Sequence, residues 1–475
     1  IRGMDSAAFV VTDIFCIITL ILIYYVFRAM NRLNNKKPLV YTARVKRMIV
    51  TIVIMMVLLF ALLCLLCGIG AAGGAMMIAV FLQWIFPVAA NIINHPIEKA
   101  GQNKFINSAK KKLAENENLT IIGVTGSYGK TSVKFYLKTL LSEKFDVLVT
   151  PESYNTPLGV VRTINEHLTA HNEIFVCEMG ARHVGDIKEI CDIVHPHHGV
   201  ITSIGPQHLE TFFNMENIKS TKFELADSLP DGGMLILNGD NEYIRQKAAE
   251  YDNKTFYYTE DGAGGDQNAG ELLQGGYRAS DIKVSQLGTE FTVTAPNGTS
   301  ERYQMRLVGA HNVINVVGAI AVAHKLGISL HELRIPVRRL LPVEHRMQLL
   351  ERGGVTIIDD AYNSNPVGSK AAVETLALFE GVRILITPGM VELGEAEDDY
   401  NYKFGTYAAD CCDYIILVGR EHVEPIKRGA LDSGFEPGRL RVFDTLADAM
   451  SQANAIRADG HKYILLENDL TDNYN

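Results

Sequence analysis

Residues 123–132 read "GVTGSYGKTS". They follow the apolar run "LTII" (119–122) and precede "VKFYLKTLLSEK" (133–144), whose apolar spacing predicts a helix. A glycine-rich turn between a strand and a helix, ending in Lys-Thr, is built to hold phosphate. The turn aims backbone N–H groups at the anion, the helix N-terminus adds its dipole, and Lys130 adds a charge. The spacing is not G-x-x-x-x-G-K-[ST], because position 124 is Val and both Gly123 and Gly126 miss that register.

The pattern around this loop extends outward as strand, turn and helix in alternation. Apolar strands are expected at 119–125, 173–178, 199–204 and 233–237, with helices at 132–143, 157–168, 184–191 and 215–228. Such alternation predicts a mostly parallel sheet covered by helices, with ligands at the carboxyl ends of the strands. Residues 262–276 read as a glycine-rich insertion. Short β-type runs follow near 290–294 and 301–308, and a helix at 313–326 closes the series. "LPVEHRMQ" (341–348) reads as a link. A second α/β series then places strands at 355–359, 383–387, 414–418, 440–443 and 462–466.

The chain has 475 residues, 47% hydrophobic and 21% charged, enough for two or three domains with cores of their own. A net charge of -9 argues against nucleic acid as the main partner. The seven cysteines form no zinc or secreted-disulfide pattern. Cys64 and Cys67 make a C-x-x-C inside an apolar run, where two lipid-facing thiols are the simpler reading.

The first hundred residues differ in character. Three apolar segments, 7–27, 48–67 and 76–93, are read as membrane spans of roughly 20 residues. A signal peptide is the alternative for the first. An interfacial or re-entrant hairpin is the alternative for the third, which contains Gln83 and Pro87. Between the first two spans stand Arg28, Arg32, Lys36, Lys37, Arg44, Lys46 and Arg47 with no acid among them, which predicts a cytoplasmic loop. The expectation is a multi-pass protein of the cytoplasmic membrane with everything after Glu98 facing the cytoplasm and its ATP. The domains expected are a transmembrane region (1–98), a P-loop-type central ATP-binding domain (99–341) and a C-terminal Rossmann-like α/β domain (342–475).

Beyond the loop, Glu178 ends a strand in "VCEMGARHVGDI" (176–187), where a carboxylate can meet a phosphate-bound Mg²⁺. His208 follows a strand end in "ITSIGPQHLETF" (201–212). Lys222 lies on a predicted helix, where by itself it reads as a solvated lysine.

Taken in order, "TGSYGKTS", "NTPLGV" (155–160), "EMGA" (178–181), "HLETF" (208–212) with "TKFEL" (221–225), "GAHNVINV" (309–316), and "EHR" (344–346) with "DDAYNSNP" (359–366) resemble the Mur ligases, ATP-dependent amide-bond formers of cell-wall precursor synthesis. The likeness is closest to the MurF type and covers roughly 119–450. It implies that Gly126, Ser127, Gly129, Lys130, Thr131 and Ser132 bind the phosphates of ATP, with Thr131 and Glu178 on a first Mg²⁺. It implies that His208 serves a second Mg²⁺ and that Lys222 is carbamylated. A primary amine adds CO₂ only when neutral, so that lysine needs a depressed pKa. The resemblance further assigns Asn312 to adenine, Arg346 to the γ-phosphate, Asp360 to ribose, and Asn155 and Thr156 to the carboxylate substrate. The implied reaction turns a carboxylate into an acyl phosphate that an amine attacks. Both steps build negative charge, so fixed cations and dipoles do most of the work.

The implied partners are an amino acid or dipeptide and a muramoyl-peptide or lipid-linked acceptor at the membrane. Three features depart from the MurF pattern. Membrane spans stand where MurF has its UDP-substrate domain. Asn401 replaces a His often seen after E-L-G in "GMVELGEAEDDYN" (389–401). "LLENDLTDN" (465–473) replaces a Lys-Gly-Ser end. Two other readings stay open: a ligase acting on another envelope acceptor, in the manner of poly-γ-glutamate synthases, and an ATP-sensing membrane scaffold. Lys130, Glu178, His208 and Lys222 together favour an enzyme.

Overall fold

The computed structural model describes residues 24, 40–81, 84–263, 270–362, 364–420, 422–457 and 460–469. The chain divides into two compact units, Ile1–Asn107 and Ser108–Asn475.

In the first unit the helix Ala43–Phe81 is broken at Gly68, whose φ of 78° and ψ of 163° lie outside helical space. Its segment Ala43–Leu66 is the one helix among the described residues long and apolar enough to cross a membrane, by length and composition. The expected span 7–27 lies outside the described residues except for Tyr24. The expected span 76–93 is not a single element: 76–81 end the first helix, Trp84 lies in a turn, and 85–93 open the helix Ile85–Ala114. The rest of that helix is polar. Arg44 and Arg47 meet Glu98 at 3.2 and 3.9 Å, and Asn94 donates to Thr51 at 2.9 Å. Arg44, Lys46 and Arg47 are thus helical rather than part of a connecting loop. The expected multi-pass placement in the cytoplasmic membrane is therefore corrected: among the described residues one helix meets the requirement, and the expected third span does not form one.

In the second unit the described residues form two sheets. The first contains β1 (Thr120–Thr125), β2 (Val147–Val149), β3 (Ile174–Glu178), β4 (His198–Ile201), β5 (Leu235–Asn238), β6 (Lys254–Thr259), β7 (Tyr277–Ser285), β8 (Gly288–Thr294) and β9 (Ser300–Met305). Its order is β2-β3-β1-β4-β5-β6-β7-β8-β9, parallel as far as β7 and antiparallel beyond. β1 and β3 are near-continuous apolar runs because helices cover both faces of a parallel sheet. The helix Lys130–Leu141 buries Val133, Leu137, Leu140 and Leu141, one stripe at helical spacing. It packs with the helix Ala310–Lys325 in the same core.

The second sheet contains β10 (Gln348–Arg352), β11 (Val355–Asp360), β12 (Val382–Thr387), β13 (Tyr414–Val418), β14 (Leu440–Phe443) and β15 (Lys462–Glu467), in the order β10-β11-β15-β12-β13-β14. Only β10 runs antiparallel, as a hairpin on β11. The end of the expected link is thus part of the sheet. Asp360 and Glu467 are register partners, so the carboxyl ends of β11 and β15 lie side by side.

Candidate active site

The phosphate loop leaves β1 at Thr125 and enters its helix at Lys130. Gly126 (φ 150°) lies so close to the chain after β4 that a Cβ there would stand 2.2 Å from Thr202 Oγ1 and 2.9 Å from the Ser203 amide. Gly129 caps the helix in the left-handed region at φ 81°. Ser127 donates from its hydroxyl to the Gly205 carbonyl at 3.0 Å. The Lys130 ammonium folds back on the loop and donates to the carbonyls of Gly126 (2.7 Å) and Ser127 (3.1 Å). Burial pushes it down to about 8, Arg346 adds to the fall, and Glu178 opposes it.

Glu178 is the hub. The β1–β3 register sets it beside Val124, at the strand end next to the loop. Its Oε1 accepts from the Thr131 hydroxyl and the Asn155 amide, each at 3.1 Å. Its Oε2 is ion-paired with Lys134 at 2.9 Å, and both side chains are closed to solvent, at 1% and 0% exposure. Lys134 also donates to the Glu152 carbonyl. A buried carboxylate with a hydroxyl beside it, next to a loop whose glycines leave room for an anion, suits a hard cation bridging protein and phosphate. Among the described residues no group of three or more His, Cys, Asp or Glu is arranged so that it could hold a metal ion by itself. Phosphate oxygens and water would have to complete the coordination of such a cation.

The second sheet adds charge to the same place. Arg346 lies between His345 (φ 57°) and Met347 (φ 48°). His345 Nδ1 meets Asp359 at 2.7 Å, and the Met347 amide donates to Asp360 Oδ1 at 3.1 Å. Arg346 is within electrostatic reach of Lys130 and Glu178. Burial lowers it, while Asp360 and Glu178 hold it up. Burial likewise pushes Asp360 up to about 6 against the pull of Arg346.

The other expected residues divide. Lys222 is buried on the helix Met215–Asp227, with Nζ 5.8 Å from the Phe212 ring centroid. Burial holds it well below the ordinary lysine range, and Lys130 adds to the effect. His208 directs Nδ1 at Glu392 from the second sheet's side. Asn312 is occupied within the fold: it accepts from Tyr136 at 3.0 Å and donates to the Val308 carbonyl at 2.9 Å. The Thr156 side chain caps the helix Pro157–His167 by accepting from the Gly159 amide. Ser132 follows Thr131 in the first turn of the loop helix.

Sequence reasoning missed Lys134, Glu392 and Glu467. Lys134 follows Lys130 by one helical turn on the stripe between Val133 and Leu137, and a lysine on that stripe was the available signal. Glu467 is 1% exposed. It accepts from the Ser364 and Thr387 hydroxyls, and burial pushes it up to about 8.

A phosphate loop, a strand-end carboxylate and cations from two sheets outline an α/β protein built to hold a nucleotide's phosphates. Residues 124–323 match the Mur ligase middle domain and residues 345–467 the Mur ligase glutamate ligase domain. The chain belongs to the Mur ligase family, whose members form peptide bonds at the expense of ATP. It is 30% identical over 345 residues to the UDP-N-acetylmuramoyl-tripeptide–D-alanyl-D-alanine ligase of Bacillus subtilis, covering 71% of each chain. It is 32% identical over 398 residues to the Mycobacterium bovis ligase of the same name, covering 78% of this chain and 75% of that one. The Escherichia coli relative of that name is 30% identical, and the match spans 65% of its length. A crystal structure of MurF from Acinetobacter baumannii matches with a TM-score of 0.66 at 25% identity over 77% of each chain. MurF from Thermotoga maritima, solved with ADP, shares the fold with a TM-score of 0.66 at 24% identity, over 77% of this chain and 80% of that one.

Proposed function

We propose that this chain is an ATP-dependent ligase of the MurF type, joining D-alanyl-D-alanine to a muramoyl tripeptide in peptidoglycan precursor synthesis. The observation that carries the reading is the cluster in which Thr131, Asn155 and Lys134 converge on Glu178, with Lys130 and Arg346 beside it. In this reading residues 99–341 form the ATP-binding domain and 342–475 the domain that brings the amine.

Lys130 and the N-terminus of its helix would hold the terminal phosphates, Thr131 and Glu178 would hold Mg²⁺, and Arg346 would neutralise charge on the transferring phosphoryl group. Mg²⁺ supplies Lewis-acid neutralisation of the phosphate oxygens when bound. Asn155 already turns its amide toward Glu178 and is placed to orient the acceptor carboxylate. Lys222 is proposed to carry a carbamate, which its depressed pKa favours by keeping the amine neutral. Asp360 lies beside Arg346, where a ribose hydroxyl could be held.

A different amine is the second reading, favoured by Glu467, a buried acid at the strand end in the segment that departs from the Lys-Gly-Ser end of the MurF pattern.

The test is Mg²⁺-dependent phosphate release with mass spectrometry of the product, using UDP-linked muramoyl tripeptide and a panel of amines. Lys130→Ala should lower amide synthesis by orders of magnitude. Amide synthesis near the wild-type rate in that variant would overturn the reading.

A further inference from the structure

Glu392 belongs to the E-L-G stretch, to which the reading above gives no task. Four observations converge on it. His208 Nδ1 faces Glu392 Oε2 at hydrogen-bond distance. The Leu209 amide donates to the Glu392 carbonyl at 3.1 Å, so backbone as well as side chain joins the two segments. The other carboxylate oxygen, Oε1, meets Arg182 at 3.7 Å. Both His208 (φ 52°) and Glu392 (φ 63°) lie in the left-handed region, which non-glycine residues keep only where the surroundings fix them.

The loop that carries Glu392 is bound to the second sheet. The Gly389 amide donates to Thr387 Oγ1 at 3.1 Å, and Asn468 donates to the Gly389 carbonyl at 2.6 Å. The buried Asn401 both accepts from the Met390 amide and donates to the Met390 carbonyl, each at 2.9 Å. Asn401, where the family pattern often shows His, therefore acts here as a clamp on this loop.

We propose that Glu392 is a positioning residue through which the second sheet orients His208. A carboxylate only accepts, so its bond to Nδ1 selects the Nδ1–H tautomer and leaves the Nε2 lone pair for a cation. Glu392 thereby makes His208 a competent ligand only while the two sheets are together. This rests on the reading of His208 as a metal-site residue.

The test uses the full chain labelled with ¹⁵N-histidine, above the imidazole titration range, and needs no turnover. Its outcome is therefore separable from that of the ligase assay. Comparison with His208→Gln assigns the His208 signals. The wild type is expected to show the Nδ1–H pattern, and Glu392→Ala to lose it. Mn²⁺ affinity in the presence of ADP, read by electron paramagnetic resonance, should weaken about 10- to 100-fold in Glu392→Ala, the usual effect of removing such a partner. Glu392→Gln keeps an acceptor oxygen and should return both readouts toward wild type. A wild-type nitrogen pattern with unchanged Mn²⁺ affinity in Glu392→Ala would overturn the proposal. So would equal losses in the Ala and Gln variants, because they would tie the effect to charge or packing rather than to an acceptor.

Discussion

Lys134 Nζ stands 2.9 Å from Glu178 Oε2, with neither side chain open to solvent. Removing one partner of a buried pair strands the other charge, at a loss on the order of 3–5 kcal/mol. Lys134→Ala should therefore lower the urea midpoint followed by circular dichroism. Lys134→Met combined with Glu178→Gln should lose much less, because no buried charge is left alone. An unchanged midpoint in Lys134→Ala would show that Glu178 does not depend on this lysine.

The Lys130 ammonium gives a pH prediction. Burial lowers it to about 8 in the free protein. The charge aimed at phosphate is then lost as pH rises through that value, so kcat/KM for ATP should descend above pH of about 8. Its folded pKa lies below the unfolded lysine value of roughly 10.4. Between the two the unfolded chain binds more protons, so this group makes stability rise with pH across that window. Lys130→Arg, which keeps its charge, should move the descent in kcat/KM to higher pH even at a lower absolute rate. A descent at the same pH in both proteins would exclude Lys130 as its source.

Gly126→Ala should abolish nucleotide binding. The new Cβ would meet Thr202 Oγ1 at 2.2 Å and backbone atoms of Ser203 at 2.9 and 3.0 Å, so the loop or the chain after β4 must move. Isothermal titration with ADP is the measurement, and wild-type affinity would show that the cradle tolerates a side chain.

Lys222→Ala should be nearly inactive and should regain part of its activity with added short-chain carboxylic acids, which can stand in for a carbamate. Lys222 is buried with a depressed pKa, so loss of activity alone could come from packing, and the rescue is the deciding arm. Turnover at the wild-type rate without any additive would make Lys222 an ordinary core residue.

How much was legible follows from these residues. β1, the loop and β3 could be read because a buried parallel strand is a continuous apolar run and phosphate turns need glycine. β2 spans three residues and β6 reads "KTFYYT", so neither gives a clear strand period, and both were missed. Lys134 was hidden because its partner Glu178 is 44 positions away: its place on the apolar stripe signals burial but does not name the carboxylate it meets. For Asn312 and Thr156 the motif located the residues but not their side-chain bonds, which the fold directs to Tyr136, Val308 and Gly159. The third membrane span failed because a hydropathy window counts residues without asking whether they lie on one helix. The turn at Trp84 divides them.

The β10–β11 hairpin bears on how the site is assembled. Arg346 stands two residues before β10, and both of its neighbours are tied to the end of β11 through Asp359 and Asp360. The backbone that carries its side chain is thereby a pointer fixed to the second sheet. A fluorescent label elsewhere on that sheet would report where the pointer is, without touching the site. Lengthening the chain between Leu340 and Glu344 would change how quickly the pointer arrives, but not where it lands.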